Sequence, residues 1–166
     1  GLMFENPLMD DERHCRNKCI FCFIDQLPKG MRESLYYKDD DVRLSFLFGN
    51  YVTMTNMDYD ELNRIVRHRL SPVNVSVHTT NPGLRTYMMG NKNAGDVLSK
   101  MKFLAEGGIS LNAQIVLCRG INDGIELDKT LDDLSGLIPS LKSVSVVPVG
   151  LTRFRDNLAH IRPYDE

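Results

Sequence analysis

An alternation of two hydrophobic periods constrains this chain most. Apolar runs with strand character occupy residues 42–55 (VRLSFLFGNYVTMT), 73–79 (VNVSVHT), 111–118 (LNAQIVLC) and 143–151 (SVSVVPVGL), each bounded by turn residues. Helical periods lie between them: Leu62, Ile65, Val66 and Leu70; then Val97, Leu98, Met101, Leu104 and Ala105, closed by Gly107 and Gly108; then Leu127, Leu131, Leu134 and Ile138, stopped by Pro139. A short strand is also expected at residues 1–5 (GLMFE). Strand and helix in turn predict right-handed βαβ units and a parallel sheet, open or curled into a barrel.

The strands are two-faced. In VNVSVH, Val73, Val75 and Val77 fall on one side and Asn74, Ser76 and His78 on the other; in LNAQIVLC, Leu111, Ala113, Ile115 and Leu117 oppose Asn112, Gln114, Val116 and Cys118. A parallel strand covered by helices on both faces is apolar on both. The polar face therefore predicts a curled sheet whose apolar side meets the helices and whose other side lines a lumen for a polar ligand. An open sheet with satisfied buried amides is the alternative. Five parallel strands are expected, too few for a closed barrel, with their carboxyl ends at one mouth.

With 166 residues, 42% of them hydrophobic, the chain has enough apolar material for one domain, residues 1–166. A net charge of −2 offers no footprint for nucleic acid or an anionic membrane. No run approaches the roughly 18 apolar residues of a membrane span, and the first residues lack the order of a signal peptide. A cytoplasmic location is expected, where thiols stay reduced and clustered cysteines point to metal or catalysis. The first residue, Gly1, and the final HIRPYDE read as the edges of a piece of a longer protein.

Three of the four cysteines stand within CRNKCIFC, residues 15–22. Thiolates hold iron–sulfur clusters, and a four-iron cluster offers four corners. Spacings of three and two let one loop wrap three corners and leave the fourth iron for an exogenous ligand. Structural zinc needs four protein ligands and would have to recruit His14, His78 or Cys118 at irregular spacing. Three buried thiols with no ligand role would fit poorly beside the polar RNK of residues 16–18.

Cys15, Cys19 and Cys22, with aromatic Phe21 before the last, resemble the C-x3-C-x-aromatic-C loop of the radical S-adenosylmethionine (radical SAM) enzymes. CIFCFIDQLPKGMRESLYYKDDDVRLSFLFGNYVTMTN, LSPVNVSVHTTNPGLR, QIVLCRGINDG and VVPVGLTRFR are similar to a bacterial branch with a PDZ-like domain before the radical SAM core and a domain of unknown function after it. The resemblance implies a partial (β/α) TIM-type barrel, a [4Fe-4S] cluster held by Cys15, Cys19 and Cys22, and reductive cleavage of S-adenosylmethionine to a 5'-deoxyadenosyl radical. It also implies an external electron donor and a substrate the sequence does not name.

For S-adenosylmethionine, the resemblance makes Gly49, Asn50 and Tyr51 candidates at the methionine amino group, where relatives carry a Gly-Gly-Glu-like segment; Tyr51 stands in place of the acidic residue. Ser76 and His78 are candidates for the carboxylate and ribose, Gln114 for ribose or substrate, and Phe21 for the cofactor's surroundings. Cys118 is open to three readings: a fourth ligand, a buried strand thiol, or a lumen residue exchanging a hydrogen atom. KDDD (38–41) reads as a solvated loop, GINDG (120–124) as a turn, and Arg153 and Arg155 as surface arginines. Two other classes stay open beside the enzyme: an iron–sulfur electron-transfer protein and a zinc-stabilised interaction module.

Overall fold

The computed structural model describes residues 13–156 and 158–164. Three strands, β1 (Val73–Ser76), β2 (Leu111–Leu117) and β3 (Leu141–Pro148), form a parallel sheet in the order β1-β2-β3. Asn74 pairs with Asn112, Ser76 with Gln114, and Gln114 with Ser145; an irregularity between Leu111 and Asn112 shifts the β2–β3 register. The expected residues 1–5 strand lies outside the described residues.

The helices are α1 (Val42–Phe48), α2 (Tyr59–His68), α3 (Pro82–Met89), α4 (Val97–Glu106) and α5 (Ile125–Ser135). Asp58 caps α2 by accepting from the Glu61 amide at 2.9 Å while Glu61 reaches back to the Asp58 amide at 3.2 Å. Asn81 caps α3, with Pro82 in its first turn. The apolar faces of β1 and β2 bury Val73, Val75, Val77, Leu111, Ala113 and Ile115 against Leu62, Ile65, Val97, Met101, Leu104 and Leu134.

Two expectations need correction. Residues 42–48 are helix, not strand. Val42, Leu44 and Phe46 alternate as in a strand, but Leu44, Leu47 and Phe48 stand at helical spacing, and the ends decide: the Asp41 side chain accepts from the Arg43 amide, and Gly49, at φ 79°, ends the helix in the left-handed region. What remains of the expected strand is one parallel bridge, Val52 to Val75, in which Val52 N–H donates to Asn74 and Ser76 N–H donates to Val52. The described residues thus hold a three-stranded sheet with one added rung, not five strands.

The polar face exists. Ser143 Oγ donates to Asn112 Oδ1 at 2.8 Å, Asn112 Nδ2 to Asn74 Oδ1 at 2.9 Å, and Asn74 Nδ2 to the Gly49 carbonyl at 2.9 Å. This row crosses the sheet near its amino end and satisfies much of the face internally. One row further along, Ser76, Gln114 and Ser145 stand side by side towards the carboxyl end. Among the described residues no helix is long and apolar enough to cross a membrane.

Candidate active site

The cysteine loop sits at the carboxyl ends of the strands, held from above and below. Lys18 N–H donates to the Met89 carbonyl at 2.8 Å and Ile20 N–H to the Met88 carbonyl at 2.9 Å. These belong to the last turn of α3, whose carbonyls have no donor within the helix. The chain then leaves α3 through Gly90, at φ 55°. The Gln26 amide, buried, donates to the Cys22 carbonyl at 3.2 Å and accepts from Thr152 N–H at 3.1 Å, and Arg155 donates to the Ile20 carbonyl at 3.0 Å. Phe21 enters a second apolar cluster with Met88, Cys118 and Ile161, and its ring centre lies 4.5 Å from that of His78.

The three loop cysteines are free thiols, each half-buried. Burial pushes the Cys19 thiol up to about 12, helped by the neighbouring Cys15 and Cys22 and opposed by Arg85 and Lys38. Burial also raises Cys15. Cys15 and Cys19, whose ionisation burial and the neighbouring thiols oppose, form with Cys22 a donor set that cationic iron would relieve, and three thiols are the donor chemistry that three corners of a [4Fe-4S] cluster take. Among the described residues, no three His, Cys, Asp or Glu side chains converge on a single-ion geometry. Cubane ligands each bind a separate iron and need no common point, whereas zinc gathers its ligands around one centre.

The segment that follows Val52 meets this loop. Thr55 Oγ1 donates to Asn17 Oδ1 at 3.1 Å, and Asn56 Nδ2 donates to the Asp40 carbonyl at 2.8 Å. Two buried cations hold its backbone: Arg85 donates to the Thr53 carbonyl at 2.9 Å and Lys100 Nζ to the Met54 carbonyl at 2.7 Å. Arg85 also donates to Ser76, Val77 and Ala94 carbonyls. Burial brings its guanidinium down to about 10, against the pull of Asp96, Cys19 and Asp40. Met54 and His78, at φ 60° and 66°, turn their segments sharply at this end of the sheet. A cleft of about 650 Å³ opens beside the loop, lined by Arg13, His14, Arg16, Thr55, Asn56 and Asn93 among others.

The structure brings Cys15, Cys19, Cys22, Phe21 and His78 to one end, with Ser76 and Gln114 in adjacent register on the sheet. Gly49 bonds to Asn74 near the amino end of β1, whereas Asn50 Nδ2 donates at 3.0 Å to Oδ2 of Asp39, which bridges to His14 beside Cys15. Tyr51, half-buried, precedes the Val52 rung. His78 is buried; its Nδ1 accepts from Val116 N–H at 3.1 Å. Burial and the nearby Arg85 lower it to about 3, so the neutral ring carries its proton on Nε2. Cys118, one residue past β2, is fully buried in the Phe21 cluster, and burial raises its thiol to about 11. Asn17, Gln26, Thr53, Thr55 and Arg85 escaped the sequence reading. Buried polar residues among polar neighbours give no periodic signal, although Asn17, between two of the cysteines, was the one place to look.

The arrangement is a cysteine loop at the carboxyl end of a parallel α/β sheet, above a row of polar side chains. A family model described as "Radical SAM-like domain" matches residues 1–144, and the chain belongs to that family. No curated protein sequence matches the chain. Among solved structures, SuiB of Streptococcus suis superposes with a TM-score of 0.61 at 12% identity, over 92% of this chain and 41% of its own. SuiB bound to S-adenosylmethionine gives 0.62 at 12% identity, over 93% of this chain and 42% of its own. A radical SAM methyltransferase from Sphaerobacter thermophilus shares 22% identity over 69% of this chain and 33% of its own, at a TM-score of 0.44, too low to bear on the fold. The chain thus spans about two fifths of the length of SuiB.

Proposed function

We propose that this protein is a radical SAM enzyme, built as a partial (β/α) barrel, in which Cys15, Cys19 and Cys22 hold three irons of a [4Fe-4S] cluster. A cluster held there would supply one-electron reduction of S-adenosylmethionine, with the electron drawn from an external donor, and C–S cleavage would give methionine and a 5'-deoxyadenosyl radical. The observation that carries this reading is the seating of the three-cysteine loop on the last carbonyls of α3, at the carboxyl ends of the strands.

The chain's own residues have three tasks there. The loop presents three half-buried thiols and leaves one corner of a cubane for the amino and carboxylate groups of S-adenosylmethionine. Thr53 and Thr55, bonded to Asn17 in the loop, are further candidates for the methionine end beside Gly49, Asn50 and Tyr51, and Arg85 and Lys100 pin the Thr53 and Met54 carbonyls there. Ser76 and Gln114 offer polar groups for the ribose or the substrate, while neutral His78 supports Phe21. The apolar cluster beneath the loop shields this end from water, which a reactive radical requires.

The cysteine loop and the segments after it resemble the bacterial branch with a PDZ-like domain and a further carboxy-terminal domain, which supports reading this chain as the core between such flanks. Substrate choice would be shared with such flanks. The test is anaerobic reconstitution with iron and sulfide, followed by an assay for 5'-deoxyadenosine with S-adenosylmethionine and dithionite. Brown protein that forms 5'-deoxyadenosine supports the reading. A brown protein that forms none favours electron transfer, and a colourless one that retains zinc favours an interaction module.

A further inference from the structure

Asn17 is 5% exposed although it lies between exposed Arg16 and Lys18. Its side chain makes four hydrogen bonds, the full complement of an amide. Nδ2 donates to Cys15 Sγ at 3.3 Å and to Thr53 Oγ1 at 3.0 Å. Oδ1 accepts from Thr55 Oγ1 at 3.1 Å and from Asn91 Nδ2 at 2.7 Å.

The partners fix which end of the amide faces the sulfur. The Thr53 hydroxyl donates to Asp40 Oδ2, so its oxygen is left to accept from Asn17. Asn91 Oδ1 accepts from Asn93 N–H, so its nitrogen is the end that faces Asn17. A flipped Asn17 would set donor against donor at Asn91, and an oxygen against both the Thr53 oxygen and the sulfur. The chain of bonds from Asp40 through Thr53 to Asn17 therefore aims one N–H at Cys15.

The geometry points to Asn17 as a positioning residue that sets the reduction potential of the cluster through an N–H···S bond to Cys15. This rests on the reading of Cys15 as a cluster ligand. An N–H directed at a ligand sulfur draws off electron density and stabilises the reduced cluster, because hydrogen bonds to sulfur are among the levers on cluster potential. Removing it makes the cluster harder to reduce. Asp40, Thr53, Thr55 and Asn91 act through Asn17 by holding the amide in its orientation.

The test is EPR-monitored redox titration of the anaerobically reconstituted full chain, with iron content measured on the same samples. Asn17→Ala and Asn17→Asp are expected to retain the iron of the wild type and to shift the midpoint to more negative potential, Asn17→Asp further because it adds an acceptor and a negative charge. Thr55→Val, which leaves Asn17 in place but unclamps its oxygen, is expected to shift it less in the same direction. Unchanged midpoints at full iron content overturn the inference. If the Asn17 variants lose iron, Thr55→Val decides: a lowered midpoint supports it and an unchanged one overturns it. A wild type that assembles no [4Fe-4S] cluster overturns the proposed function and this inference together.

Discussion

Gly90 lies directly against the backbone of Lys18: a Cβ on Gly90 would stand 2.8 Å from the Lys18 carbonyl oxygen. The glycine also holds φ 55°, where a side chain is strained whatever the space around it. The last turn of α3 and the cysteine loop are thus built as one piece, and Gly90 permits their approach. Gly90→Ala is expected to destabilise the protein by about 1–3 kcal/mol through left-handed strain and the clash. It should also lower the iron retained after reconstitution, because the obstacle is backbone. Urea unfolding and iron analysis check this, and wild-type values for both would contradict it.

Arg85 is buried and donates to four backbone carbonyls, those of Thr53, Ser76, Val77 and Ala94. Arg85→Met would fill similar space yet leave four buried carbonyl oxygens without that donor. Destabilisation of about 3 kcal/mol or more is expected, since each orphaned buried acceptor costs about 1–3 kcal/mol. Arg85→Lys should recover only part, because an ammonium cannot span the same carbonyls. Urea unfolding that places Arg85→Met within about 1 kcal/mol of wild type would contradict this.

His78 gives the stability a pH dependence. Its value is about 3 in the folded protein against an ordinary 6.5. Below 6.5 the unfolded chain takes up a proton that the native ring refuses, so this contribution is complete above pH 6.5 and is lost as pH falls towards 3. Between about pH 8 and about pH 5.5 the loss is about 1.4 kcal/mol. Urea unfolding of the cluster-free protein at both pH values should show a pH dependence shallower by that amount in His78→Gln. Equal dependence in both proteins would rule out a buried neutral His78.

Sequence pattern revealed β1, β2, β3, α2, α4 and α5, because each has a long or strongly β-branched apolar period. The polar face was also visible in Asn74, Ser76, Asn112 and Gln114, although Asn74 and Asn112 bond to each other. Helix α1 was hidden because the alternation of Val42, Leu44 and Phe46 overlays the helical spacing of Leu44, Leu47 and Phe48, and only the Asp41 cap and Gly49 separate them. Helix α3 was hidden because its buried face includes Arg85, which no apolar pattern reports. The cysteine loop was legible as a triad, yet its polar RNK conceals a buried Asn17. The Thr53–Asn56 placement depends on Asp40, Arg85 and Lys100, contacts remote in sequence that spacing does not encode.

In the proposed site Cys15, Cys19 and Cys22, and not Cys118, would hold a cluster with one open corner. Cys118 lies fully buried among Phe21, Met88 and Ile161, so Cys118→Ala should cost about 1 kcal/mol of packing and leave the site in place. The deciding measurement is iron content and 5'-deoxyadenosine formation for wild type, Cys22→Ala and Cys118→Ala after anaerobic reconstitution. Wild type and Cys118→Ala are expected to hold about four irons per chain and form 5'-deoxyadenosine, while Cys22→Ala loses both. Loss of the cluster in Cys118→Ala would contradict the account, because a fourth protein ligand leaves no corner for S-adenosylmethionine.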